Sequence, residues 1–401
     1  MRILFLTGRL PYPPNRGDRL RAYHFLRVLS QEHQVTLLSF IADERETGNI
    51  GPLRPYCDDI QLVHRGQWQS KLGAAMNFWR PLPLQSLYYR SQVMQQAVSS
   101  ILARRRFDAV YVHLFRMAQY IGNRSSLYRI LDLTDAVSGE LRRSMPYQSL
   151  LWRTIYRVEL PRIIRYEKQV MQNFDETWLI SEAEKRFLLR DREVAGTELV
   201  IIPNGIDTER FRPSGPPVHQ PVLIFVGHMS VLHNVDAAEH LVHDILPLVW
   251  ASVPDARLHL VGAEPSDRVF RLGKVPGVQV FGHVNDLNAG LSGAAVFAAP
   301  LRFAAGIQNK VLEAMAAGLP VVTTSVVNEG LQADAGRHLI VADDPAAFAA
   351  AVVELLHDAE RRQALGRLGR DFVRTNYRWE DILERMKTIE QRVRLAHPGS
   401  R

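Results

Sequence analysis

The stretch Ala305–Thr323, AGIQNKVLEAMAAGLPVVT, constrains the fold more than any other. Its pattern predicts a loop up to about Asn309, then a short helix. Gly318 ends the helix in the left-handed conformation, and Pro320 prevents its return. The β-branched run Val321-Val322-Thr323-Thr324 then reads as a buried strand. A tight loop feeding a helix gathers unpaired backbone N–H groups around one point. That point also carries the positive end of the helix dipole and suits a phosphate. Lys310 falls in the first turn, where the dipole disfavours a cation unless an anion is bound nearby. Glu313, three residues on, shares its helix face. Ala314, Ala316 and Ala317 are small enough to let the helix lie close on a sheet.

The rest of the chain alternates strand and helix in the manner of an α/β protein. Ile3–Leu6 predicts a first strand, Thr7–Gly17 a proline-rich loop, and Asp18 onward a helix with Leu20, Tyr23, Leu26 and Leu29 on helical spacing. Val35–Phe40 follows as a second strand. This order opens a doubly wound domain, whose ligands sit where strand ends meet loops. Gly17, Asp18 and Arg21 stand at that mouth. Further strands are expected at 108–112, ending in His113, and at 129–133, ending in Thr134-Asp135, with Asp132 and Ser138 behind. Others are expected at 177–181, 221–227, 257–262, 278–284, 294–300 and 338–342, and helices at 345–357 and 359–374. Ser181 with Glu184 reads as a capping box. Asn234-Val235-Asp236 reads as the cap of a helix running to Trp250, and Asn328-Glu329-Gly330 as a turn. Glu159 and Glu167 fall within a long helix, 149–173, among arginines, and read as solvated salt-bridge partners.

At 401 residues the chain is too long for one ordinary core and suits two domains. Apolar residues make up 46% and charged residues 23%, which excludes a disordered chain. Cys57 is the single cysteine, so an internal disulfide is excluded and a reducing, cytoplasmic setting is expected. The opening apolar run is too short for a signal-peptide core, and no run approaches the ~20 residues needed to span a bilayer. Residues 1–200 hold 29 Lys and Arg against 20 Asp and Glu, a net +9, whereas residues 201–401 net −2. The asymmetry suggests an anionic partner for the first half, with a solvated basic surface as the competing reading. Residues 73–106 interleave Phe78, Trp79, Tyr88 and Tyr89 with Arg80, Arg90 and Arg104–Arg106, the composition of segments that rest on anionic lipid. An ordinary buried helix pair is the competing reading. Nucleic acid is not expected, because the basic residues form no dense tract or binding motif.

Four motifs, in order, resemble glycosyltransferase family 4, the retaining GT-B enzymes. They are PNGIDTERF at the hinge (203–211), FGHV (281–284), LEAMAAGLPVV (312–322) and the closing NYRW (376–379). The resemblance implies two Rossmann-like doubly wound domains facing across a cleft. The expected acceptor domain is 1–198, with helix 380–401 packing back on it, and the expected nucleotide-sugar domain is 199–379. It assigns Glu313 to the ribose hydroxyls. Gly227, the amides of Gly306, Ile307, Gln308, Asn309, Val311 and Leu312, and the turn His283-Val284 are assigned to the rest of the donor. Gly17, Asp18, Arg21 and Arg80 are assigned to the acceptor. His113, Asp135 and Lys310 are the expected catalytic groups. The sequence departs from the family at Asp135, where a histidine is usual, and twice more at the donor site. Ala305 replaces the first glutamate of the E-x7-E pair, and His228 and His233 stand where an Arg and a Lys grip the diphosphate. A partly protonated histidine pair is a weaker clamp, with Arg302 and Lys310 as the substitute cations.

The activity so implied is transfer of a sugar from a nucleotide-diphosphate sugar to an acceptor hydroxyl with retention of configuration. The loop variants look most like sugar transferases of bacterial exopolysaccharide clusters, with a lipid-linked or saccharide acceptor. The enzyme is expected in the cytoplasm, with peripheral contact at the inner face of the plasma membrane left open. No cofactor and no metal is expected, because amides and cations can neutralise the leaving diphosphate. The alternatives are a GT-B sugar-nucleotide epimerase or hydrolase, and a catalytically silent nucleotide-binding module.

Overall fold

Short apolar runs rich in Val, Ile and Leu become fully buried strands when helices cover both faces of a parallel sheet. The computed structural model, which describes residues 1–122, 127–190, 196–215, 218 and 220–396, contains two such sheets. The first is built from β1 (Arg2–Thr7), β2 (Gln34–Ile41), β3 (Asp59–His64), β4 (Ala109–His113), β5 (Tyr128–Thr134), β6 (Glu176–Leu179) and β7 (Glu198–Ile201). Its order is β3-β2-β1-β4-β5-β6-β7, every pair parallel. The second is built from β8 (Val222–Val226), β9 (Arg257–Val261), β10 (Val278–Phe281), β11 (Val296–Ala299), β12 (Val321–Thr323) and β13 (Ile340–Val341). Its order is β10-β9-β8-β11-β12-β13, again parallel throughout. Both are doubly wound. The order reverses between β1 and β4 in the first sheet and between β8 and β11 in the second, and ligands of such sheets bind at that reversal, beyond the carboxyl ends of the strands.

The chain divides into two compact units, residues 1–203 with 382–401 and residues 204–381. The division therefore falls after β7 rather than at 198/199, because Glu198–Ile201 pairs along β6 and completes the first sheet. The second crossing, at 381/382, falls inside the helix Trp379–Lys387. In place of one closing helix there are two, Trp379–Lys387 and Ile389–Ala396, with Ile382, Met386, Ile389 and Val393 buried at helical spacing. The last five residues of the expected segment, 397–401, lie outside the described residues, as do 216, 217 and 219 of the linker.

Three sequence expectations give way. Glu159 and Glu167 are buried, not solvated. Glu167 accepts from the N–H (2.9 Å) and hydroxyl (2.6 Å) of Ser138, while Glu159 accepts from the Leu84 N–H at 2.7 Å and pairs with Arg162 at 2.9 Å. They tie neighbouring segments to the long helix Leu150–Gln172. The helix after β8 starts at Leu232, so Asn234 and Asp236 lie within it, and it passes through a wide turn at 241–245 ahead of Pro247. Asn328-Glu329-Gly330 belongs to the helix Ser325–Leu331. The hinge and closing motifs meet inside the second unit. The Ile206 N–H donates to the Tyr377 carbonyl at 2.7 Å, and a Cβ on Gly205 would sit 2.4 Å from the Trp379 ring.

The closing helices are locked by charge. Glu176, fully buried, accepts from Arg392 Nε (2.5 Å), Tyr128 Oη (2.5 Å) and Trp178 Nε1 (2.7 Å). Removing one partner of a buried pair strands the other, at a cost of about 3–5 kcal/mol. Arg392→Met is therefore expected to destabilise the first unit by about 3 kcal/mol in urea unfolding. An unchanged midpoint would show that the pair is dispensable.

Candidate active site

In the second unit the site grows from close backbone approaches at the β8–β11 reversal. A Cβ on Gly262, at φ +152°, would fall 1.7 Å from the Gly227 carbonyl oxygen, and one on Gly227 would fall 2.7 Å from the Asn234 side chain. Only glycine lets these segments meet. The Asn234 amide donates to the His228 carbonyl at 3.1 Å and accepts from the Lys310 ammonium. Across the reversal, the loop after β11 turns at Gly306 (φ +55°), where a Cβ on Gly330 would lie 2.3 Å from the Gly306 carbonyl oxygen. Gly330 thus braces the loop from beneath. The helix Asn309–Ala316 then starts, and Asn309 accepts from the Asn204 amide at 3.2 Å. Among the described residues the amides of Ile307 and Gln308 meet no acceptor.

Lys310 is the electrostatic centre of this loop. Burial drives its pKa down to about 7, against the opposing pull of Glu313. Glu313 is driven up to about 7 by burial, against Arg210 and Lys310. The Lys310 ammonium also lies 5.4 Å from the centre of the Phe225 ring. A group so poised gains its full charge when an anion arrives.

The structure thus brings together Gly227, Lys310, the 306–309 loop and Glu313. Other assignments change. The Val311 and Leu312 amides point to the Gln308 carbonyl, at 2.9 and 3.4 Å, so the first turn of the helix has already taken them. Arg302 is not a free cation, because Asp236 grips it through Nε (2.9 Å) and a second bond from Nη2. His233 is no cation either: burial and the neighbouring Lys310 hold its pKa at about 3, and its ring meets the Phe303 edge. His228 bonds Ser230 through Nδ1 at 3.0 Å and faces Glu264 at 3.6 Å. His283 is exposed and Val284 half-buried in the loop after β10. Asn234 and Asp236 were hidden from sequence reasoning by looking like helix caps. Their direct contacts with Lys310 and Arg302 exist only in the fold.

In the first unit the β1–β4 reversal gathers a different set. Arg21, expected to meet the acceptor, is fully buried. It donates through Nε to Asp132 at 2.7 Å and through Nη1 to the Ile202 carbonyl at 2.8 Å. It is a structural cation. Asp132 also accepts from Tyr111 and faces His113 Nδ1 at 3.1 Å. Burial would raise its pKa, but Arg21 and His113 outweigh it and hold the carboxylate well below its ordinary range. His113 Nε2, buried, has no partner among the described residues. Asp135 follows Thr134, whose φ is +67°. Its Oδ1 is also unpartnered, and burial with Glu184 and Glu140 nearby raises its pKa to about 8. Gly17 opens the first helix, and Asp18 faces Arg9 at 3.5 Å and Arg116 at 3.8 Å. Arg80 stands exposed beside Phe78 and Trp79, outside this cluster. Arg9, Arg65 and Arg116, which sequence reasoning passed over, each follow a strand end within three residues. That position was the signal available.

Comparison with known proteins places this geometry. Residues 220–358 match the family described as Glycosyl transferases group 1. The chain is 23% identical over 392 residues to a 44.6 kDa protein of the cps region of Klebsiella pneumoniae, covering 94% of this chain and 96% of that one. It is 28% identical over 211 residues to a GDP-mannose-dependent monoacylated alpha-(1-6)-phosphatidylinositol monomannoside mannosyltransferase of Corynebacterium glutamicum; that match covers 47% of this chain and 55% of the relative. Sucrose-phosphate synthase from Thermosynechococcus elongatus superposes with a TM-score of 0.76 at 18% identity, covering 99% of this chain and 100% of that one. The second unit carries a group 1 glycosyl transferase domain, and the two Rossmann-like units are those of the GT-B fold.

Asp132→Asn tests the buried cluster. The neutral amide leaves the Arg21 guanidinium uncompensated, and the loss is expected to be about 3 kcal/mol at neutral pH. The Asp132 pKa is lower folded than unfolded, so its stabilisation is complete above the unfolded value of about 4 and disappears as pH falls through the folded value. The stability gap between wild type and variant should hold constant from neutral pH down to about 5 and narrow only below about 4. A gap that closes near neutrality in urea unfolding would contradict the ion pair.

Proposed function

We propose that the protein transfers a sugar, with retention of configuration, from a nucleotide-diphosphate sugar to an acceptor hydroxyl in the assembly of a bacterial cell-surface glycan. The observation that carries this reading is the buried Lys310, a lysine with a pKa of about 7 beside the unfilled amides of Ile307 and Gln308. The second unit takes the donor, with Glu313 at the ribose and Lys310 and the loop amides at the diphosphate. The main catalytic burden is neutralising the charge that grows on the departing diphosphate. No protein nucleophile and no metal is assigned. The first unit takes the acceptor, at the strand ends bearing His113 and Asp135.

The acceptor is lipid-linked or saccharide. The mannosyltransferase relative's acceptor is a phosphatidylinositol glycan, and the cps-region relative supports a surface-polysaccharide setting. Trp68, Leu72, Met76, Phe78 and Trp79 are exposed on the helix Gln67–Met76 and the loop after it, as are Leu150, Leu151 and Trp152 at the start of the long helix. Arg80 and Lys71 lie among the first group. Aromatic rings with neighbouring cations favour peripheral contact with an anionic membrane. No helix among the described residues is long and apolar enough to cross a membrane.

Thermal unfolding with UDP, GDP, ADP and dTDP tests the donor site. Ligand at about 100 times its Kd stabilises by about 2.7 kcal/mol, a shift of roughly 5–10 °C for a unit of this size. One nucleotide should shift wild type and fail to shift Glu313→Ala. Lys310→Ala should melt at or above the wild-type temperature, since it relieves a desolvated ammonium, yet lose about 100-fold or more in turnover. No shift with any nucleotide, or parallel loss of turnover and stability in Lys310→Ala, would contradict the reading.

A further inference from the structure

Three guanidinium groups converge on one tyrosine at the β1–β4 reversal of the first unit. Arg9 follows β1, Arg65 follows β3, and Arg116 follows β4. Tyr89 lies at their centre, buried. The Arg65 guanidinium is 4.4 Å from its ring centre, and 4.4 Å from that of Tyr88 on the other side. Arg116 is 4.8 Å from the same Tyr89 ring, and Arg9 hydrogen-bonds the Tyr89 hydroxyl. Gly8 makes the approach possible, because a Cβ there would lie 3.0 Å from the Tyr89 ring.

The charges do not balance. Asp18 faces Arg9 at 3.5 Å and Arg116 at 3.8 Å, one carboxylate for three cations. Arg65 is 8% exposed, makes no ion pair among the described residues, and keeps Nε and Nη1 buried without a hydrogen-bond acceptor. Arg116 Nε is likewise without one. Stacking on tyrosine holds a guanidinium in place but neither accepts its hydrogen bonds nor cancels its charge. Buried cations in this condition are costly unless an anion completes them. The surplus also shows on Tyr89 itself: burial would raise its pKa, and Arg116, Arg9 and Arg65 together pull it below the ordinary value. Planar forks with open N–H pairs match phosphate oxygens in pairs.

We propose that Arg65, Arg116 and Arg9 form a phosphate-binding subsite, and that the acceptor is a phosphate- or diphosphate-bearing molecule held there by its anionic group. The proposal deepens the reading of the first unit as the acceptor unit and rests on it. The phosphate belongs either to a lipid headgroup or to a soluble sugar phosphate.

Calorimetric titration with inorganic pyrophosphate tests it, on wild type, Arg65→Met, Arg116→Gln, the exposed-arginine control Arg54→Gln, and Lys310→Ala. The expected result is a binding event weakened about 10-fold or more by Arg65→Met and by Arg116→Gln, unchanged in Arg54→Gln and still present in Lys310→Ala, which removes only the pyrophosphate held at the donor loop. Arg116 is more exposed than Arg65, so its variant keeps the test standing if Arg65→Met fails to fold. Equal binding by both variants and wild type overturns the proposal, as does equal weakening in the Arg54 control. Co-sedimentation with phosphatidylcholine vesicles, with and without phosphatidic acid, separates the sources. Phosphatidate-dependent binding lost in the two variants supports a lipid headgroup; pyrophosphate binding without vesicle binding supports a soluble phosphate. The nucleotide panel reports independently. If no nucleotide binds while the arginine-dependent site persists, the transferase reading falls and the anion site stands; if nucleotides bind and the arginine site does not, the reverse holds.

Discussion

The ammonium of Lys310 rests against the side-chain oxygen of Asn234 in a space that only glycines could open. Gly227 and Gly262 bring the end of β8 against its neighbour, and Gly330 lets the 306–309 loop settle onto the helix beneath it. Any Cβ at these positions would push the two sides of the reversal apart. With the sides together, a lysine, two open amides and a glutamate share one small volume, and burial holds both ionisable groups near neutrality. The proposed donor chemistry depends on that approach. It turns an ordinary lysine into one whose charge is drawn out by an anion.

The first unit solves a different electrostatic problem. Its Arg21–Asp132 pair is fully buried with its charges balanced, and serves to fix β5 against the first helix and the chain after β7. A short distance along the same strand ends, Arg65 and Arg116 are left with open donors. A protein that can bury one arginine with full compensation, and leaves others without it at a ligand-binding edge, has kept those charges for something else. That cluster accounts for a part of the basic excess of residues 1–200.

Much of the architecture was legible in the sequence because buried parallel strands have an unmistakable composition. The helix at Asn309, its stop at Gly318 and the strand at Val321 follow from local chemistry alone. What misled the reading was burial. Glu159 and Glu167 sit among arginines at helical spacing and look solvated, yet both face inward to anchor backbone and hydroxyl donors. Arg21 looks like a surface cation at a helix start and is the most enclosed arginine of its cluster. His228 and His233 look like a pair, but burial and the neighbouring Lys310 hold His233 neutral, with its ring against Phe303. Spacing along the chain cannot report which face of a helix meets the core from another segment a hundred residues away.

The central claim, that Lys310 is a desolvated cation awaiting a diphosphate, is tested most directly by following its own titration. Lysine carbon-13 NMR, with Lys310→Arg to assign the signal, measures the pKa in the free protein and with saturating nucleoside diphosphate. The account predicts a midpoint near 7 without ligand, rising toward the ordinary lysine value of about 10 when the diphosphate binds. A midpoint already near 10 in the free protein, or one that stays put when the nucleotide binds, would contradict it.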